Sequence, residues 1–238
     1  MEDAIGFIRN LKSLNSRRTS MLQETEKLYK VFDENQKTKI NIIIQQILKE
    51  GEDYKTIELW KFDQTLGGIG GYCQGCDPAK SNPFQGTEFR NVHRCLQYVR
   101  SILDILNIND TARYVIEDCG HYLEEVIKLY LKKKKIHCWI KTIKYPLGKL
   151  LLYVISKDIF EINTINNLRL FLKIYNISKH EILSDEKLDR TFHADDAIIC
   201  YFACRIVGKE IMLKVDREIK EQIYEIDWDK YGRRINRF

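Results

Sequence analysis

The sequence predicts a mainly α-helical protein, a multi-helix bundle with one irregular glycine-rich insertion. Three observations lead there. Apolar residues recur at helical spacing through most of the chain, and glycine and proline are scarce, at 12 and 3 in 238 residues. Seven of those glycines and two of the prolines also fall together between Gly51 and Gly86. Scattered breakers would chop the chain into short elements; gathered ones mark a loop and leave the flanks free to form long helices. The expected organisation is N-terminal helices over 1–50, a Gly/Pro-rich loop or linker over 51–86 and a helical core domain over 87–238.

Along 2–50, Leu11, Leu14, Met21, Leu22, Leu28, Tyr29, Val31 and Phe32 carry the helical period, and Ile40, Ile42, Ile43, Ile44, Ile47 and Leu48 continue it to Gly51. That glycine is placed as a C-terminal cap. The stretch TIELWKFD is open between strand and helix. Gly68-Ile69-Gly70 lacks the Lys-Ser/Thr and the strand-turn-helix setting of a phosphate loop. Thr87 to Leu106 reads as a helix, and Asp110 or Thr111 opens another, in which Gly120 points to close helix packing. IHCWIKTIKY is open between strand and helix, and Pro146 starts a helix to about Ile155. A helix from about Asn163 to Tyr175 leads to a polar turn. After it, Asp195 and Asp196 open an almost wholly apolar helix expected to stop at Gly208, and such a helix must be surrounded by others. EIMLKVDREIKEQIYEIDWDKY then suits a last amphipathic helix.

Composition excludes some functions. No apolar run approaches the eighteen or so residues that span a bilayer, and the first residues lack the apolar core of a signal peptide. No membrane partner is expected, and the location expected is cytoplasmic. Seven cysteines fit buried thiols in a reducing compartment, without disulfides. The formal net charge of +5 hints at an anionic partner.

Its distribution is more telling. From Val126 to Lys157 there are nine lysines and no acid, with Tyr130, Trp139, Tyr145 and Tyr153 interleaved. Lysines neutralise phosphates and aromatics stack on unpaired bases, so Lys132, Lys133, Lys134, Lys135, Trp139, Lys141 and Lys144 are candidate contacts to RNA or single-stranded DNA. A solvated helix end beside an ordinary packed helix gives the same pattern. Cys73-Gln-Gly-Cys76 with His93 and Cys95 offers the donor types of a structural zinc site, although His93 and Cys95, two apart on a helix, point in different directions. No other cofactor is expected. Arg113, Glu117, His121 and Glu125 recur every four residues, as surface ion pairs do. His180, beside Asn176 and Lys179, is the histidine best placed for proton transfer near neutral pH, with helix capping as its bland role.

At these residues the chain resembles the HEPN superfamily, over about Arg90 to Ile211. The likeness lies in paired long helices, a helix ending at Asn176, Lys179 and His180, and the apolar DDAIICYFACRIVGKEI helix after it. Many members are metal-independent ribonucleases in which an Arg and a His, four to six residues apart, meet across a homodimer. His180 matches the histidine; the arginine position holds Lys173 at the longest spacing, and Ile174 or Tyr175 at the shorter ones. The resemblance implies an RNA-binding protein of a defence or toxin-like system, acting as a homodimer or in a complex. As an endoribonuclease it would use His180 as acid or base, with Lys173, Lys179 and Asn176 around the phosphate. The alternative is a non-catalytic helical adaptor whose N-terminal helices bind another protein.

Overall fold

The computed structural model describes residues 22–66, 92, 94–105, 108–136, 139–180 and 192–215. Among them are nine α-helices and no strand: α1 Gln23–Leu28, α2 Glu34–Glu50, α3 Ile57–Thr65, α4 Arg94–Ile105, α5 Ile108–Lys133, α6 Trp139–Thr142, α7 Leu147–Ser156, α8 Ile162–His180 and α9 Ala194–Leu213.

Local chemistry fixes several ends. Asp33 caps α2 by accepting from Gln36 N at 2.8 Å, while Gln36 returns its side-chain oxygen to Asp33 N at 3.1 Å. This reciprocal pair satisfies two donors that a helix start leaves open. Gly51, at φ 57°, ends α2 in the backbone region that glycine enters freely. Two further ends have left-handed backbones without glycine. After α5, Lys135 N donates to Lys132 O and Ile136 N to Leu131 O, both at 3.1 Å, around Lys135 at φ 50°. After α7, Asp158 N and Ile159 N make the same pair to Ile155 O and Val154 O around Asp158 at φ 49°. Both are Schellman closures, with an isoleucine following the turn.

The core is built on α9. Its residues from Ala194 to Arg205 are all buried, and α5, α8, α2 and α1 pack around it, with α5 the most extensive neighbour. Each fully buried Leu, Ile or Phe here contributes about 1.5–3 kcal/mol of apolar transfer. Glycines set the closest approaches. A Cβ on Gly208 of α9 would collide with the Tyr122 ring of α5, and one on Gly120 of α5 with the Tyr175 ring of α8. Phe160, just before α8, meets the Tyr130 ring with centroids 5.0 Å apart. Residue 160 therefore lies near 130 and residue 175 near 120, so α8 runs antiparallel along α5.

Several expected boundaries move, each for a tertiary reason. TIELWKFD is helical, as α3, with Leu59, Phe62 and Asp63 buried. The helix expected to open at Asp110 or Thr111 starts at Ile108, itself buried. IHCWIKTIKY contains a single helical turn, α6. The helix expected to end near Tyr175 continues to His180, because half-buried Ile177 and buried Ser178 extend its packed side; Ser178 Oγ turns back to donate to Tyr175 O at 2.8 Å. Asn176, Lys179 and His180 lie on the last turns of α8, at the helix end where they are expected. Gly208 does not end its helix either: it is a contact glycine within α9, which runs on to Leu213. The close packing expected at Gly120 and the cap at Gly51 are both present. The helices expected before residue 22, the stretch 67–91 and the helix and basic tail expected beyond 215 lie outside the described residues.

Candidate nucleic-acid interface

The lysine-rich stretch runs from the end of α5 through the connection and α7. Lys132, Lys133, Lys134, Lys135, Lys141, Lys144, Lys149 and Lys157 are all exposed. The ninth, Lys128, is turned inward to Glu124 at 2.7 Å and Glu125 at 2.9 Å, so its charge is already matched. Glu124 does a second job there: its Oε2 accepts from Leu147 N at 2.9 Å, capping α7 where Pro146 supplies no donor. That bond ties the far end of the basic connection back to α5.

The interleaved aromatics behave differently from the lysines. Tyr130, Trp139, Tyr145 and Tyr153 are half-buried and pack on the core. Trp139 begins the single turn α6, its carbonyl accepting from Thr142 Oγ1 at 2.6 Å. The bulky apolar side chains that do face solvent here are Ile140, Ile143 and, on α7, Leu152. The outward surface therefore offers charge and aliphatic area, with only part of each aromatic ring open to a base.

On α8, Lys173, Asn176 and Lys179 are exposed, and His180 closes the helix. Positions 173, 176 and 180 stand at i, i+3 and i+7, which share a helical face. Lys179 Nζ lies 4.6 Å from the centroid of the Tyr175 ring, a cation–π contact, and His121 of α5 meets another side of that ring with centroids 6.2 Å apart. Because α8 is antiparallel to α5, Tyr175 sits beside Gly120 and the helix end beyond it lies further still from the lysine run, which begins at residue 132. The axial separation from the level of Tyr175 is about 18 Å at 1.5 Å per residue. The two groups lie apart along α5.

Of the four zinc donors considered, Cys73, Cys76 and His93 lie outside the described residues. Cys95 is a half-buried free thiol, raised to about 11 by burial and then by the charges of Asp118 and Glu125. Among the described residues no group of three or more His, Cys, Asp or Glu is arranged to hold a metal. The stripe on α5 consists of ion pairs: Arg113 Nε holds Glu117 at 2.9 Å and Lys128 holds Glu125.

The polar feature that sequence reasoning missed lies inside the bundle. Asp63 of α3 is wholly buried and accepts from Arg205 Nε at 2.6 Å and Tyr201 OH at 3.1 Å, both on α9, and from Arg100 on α4. Arg100 in turn lies over the Trp60 ring, 5.2 Å from its centroid. Burial alone would push the Asp63 carboxyl up, yet Arg205 and Arg100 hold it below the ordinary carboxylate value. One signal was available. Arg205 is the one charge between Asp196 and Lys209 in an otherwise apolar run, and a buried guanidinium requires an acceptor. Nothing local indicates that the acceptor comes from Asp63, 142 residues earlier.

No family model matches the chain, and no curated protein or solved structure matches it.

Proposed function

We propose that this is an RNA-binding helical protein of HEPN-like build, holding the phosphate backbone on the lysine-rich end of α5 and the connection after it. The observation that carries this is the six exposed lysines on that surface, Lys132 to Lys135, Lys141 and Lys144, in a stretch with no acid that continues through Lys149 of α7 and Lys157 at its end. Such a surface attracts a polyanion by releasing its counterions, and half-buried aromatics make the contact one of charge more than of base stacking. At 1.5 Å per residue the lysines lie about 18 Å along α5 from the level of Tyr175 and roughly 25 Å from that of His180, and we propose that one strand spans both.

Fluorescence anisotropy with a labelled single-stranded RNA across a salt series tests the binding. Reversing Lys132, Lys133, Lys134 and Lys135 to Glu should lower the slope of log affinity against log salt by roughly 3, at about 0.7 per lost contact. An unchanged slope would remove the interface.

Endonuclease activity is the finer part of the proposal. The 2′-hydroxyl attacks the adjacent phosphorus and gives its proton to a base, while the bond from phosphorus to the 5′-oxygen breaks and that oxygen takes a proton from an acid. The products are a 2′,3′-cyclic phosphate and a 5′-hydroxyl. His180 serves as acid or base and Lys173 or Lys179 steadies the phosphate, with no metal in any step. Incubation with single-stranded RNA in excess EDTA, comparing the unaltered chain with His180→Ala, decides it: cleavage should be lost in the variant.

A further inference from the structure

We infer that Lys135 is itself a phosphate contact, kept at a backbone position where glycine would fold better. The inference rests on the nucleic-acid reading above and sharpens it to one residue.

Three described helix ends have positive φ, at Gly51, Lys135 and Asp158. In that left-handed region a Cβ crowds the following carbonyl oxygen; glycine avoids the clash, and the short polar side chain of Asp tolerates it. Lysine has neither advantage. A positive charge near a helix C-terminus does complement the helix dipole, but Lys132, Lys133 and Lys134 already supply it, each exposed on the closing turn. The Schellman bonds around Lys135 involve only backbone atoms, so they ask nothing of its side chain. The turn thus requires the left-handed backbone, while neither the turn nor the dipole requires a long cation at that position. Strained non-glycine positions of this kind cluster where a side chain is used. Lys135 also stands at the point where the chain leaves α5 for Lys141 and Lys144, so it joins the two parts of the basic surface.

The test is Lys135→Gly, read in two ways that a purely structural lysine would move together. Thermal unfolding should shift up by about 2–4 °C, as for a gain near 1 kcal/mol in a chain of this size. RNA affinity should fall for every sequence tried, with the salt slope smaller by about 0.7. Lys39→Ala, at an exposed lysine on α2, should change neither slope nor affinity. If the unaltered chain binds no RNA, the functional reading and this inference fall together. If it binds and Lys135→Gly binds equally well, or Lys39→Ala costs as much, only this inference falls. A lower melting temperature for Lys135→Gly would also overturn it, since the lysine would then be the better residue for the turn.

Discussion

Two clusters of charge in this molecule follow opposite rules. Around Asp63, two guanidiniums and a tyrosine hydroxyl converge on one carboxylate inside the core, where water is excluded and every contact counts. At the end of α5, a run of exposed lysines begins a stretch that contains no acid through Lys157. A charge in low dielectric must be matched within the fold, because leaving it bare costs several kcal/mol. A charge in water costs the fold little wherever it stands, so an accumulation of one sign there is better explained by something outside the molecule. Buried charge reports on architecture; exposed charge reports on partners.

The sharpest way to break that contrast is Asp63→Ala. It strands the Arg205 guanidinium, 1% exposed, in the core, and should lower unfolding free energy by about 3–5 kcal/mol in urea titration. A loss under about 1 kcal/mol would mean that the network is not a structural centre.

Asp196 comes next. Burial, and then the charge of Asp195, raises it from 3.8 to about 6, although it accepts from Leu22 N at 3.3 Å and His193 N at 3.2 Å. Its folded pKa lies above the unfolded one, so the stabilisation linked to its proton is full below about pH 4 and is lost as pH rises through about 6. Asp196→Asn should therefore gain on the unaltered chain, by about 2–3 kcal/mol, between pH 4 and pH 7. A difference that stays flat across that range would contradict the assignment. Gly120→Ala is a smaller perturbation. The added methyl meets the Tyr175 ring, and overpacking of about 1–3 kcal/mol outweighs a gain of about 1 kcal/mol in helix propensity. The smallest effect should come from the other cluster. Reversing Lys132 to Lys135 should alter stability by less than about 1 kcal/mol, while the RNA affinity of the same variant collapses.

Much of the fold is legible in the residues. The apolar period of 40–48, the near-uniform apolarity of 197–207 and the crowding of breakers between 51 and 86 indicate a helical bundle before any coordinate is known. Helix ends are less legible, since Ser178 and Gly208 are weak helix formers retained by contacts with other parts of the fold. The candidate site divides the same way. Lysines are readable because exposure is their default, whereas the aromatics among them are ambiguous: a tyrosine or tryptophan at helical spacing serves a core or a ligand equally well, and here all four rest on the core.

By itself the sequence determined the helical class, the greasy helix at the centre and the place where positive charge gathers, because periodicity and charge runs are properties of neighbouring residues. Only the tertiary structure decided that Arg205 meets Asp63, that Gly120 and Gly208 seat tyrosine rings, and that the lysine run stands about 18 Å along α5 from the level of Tyr175. Those facts depend on which distant segments share a space, and no local pattern encodes the partner of a buried charge.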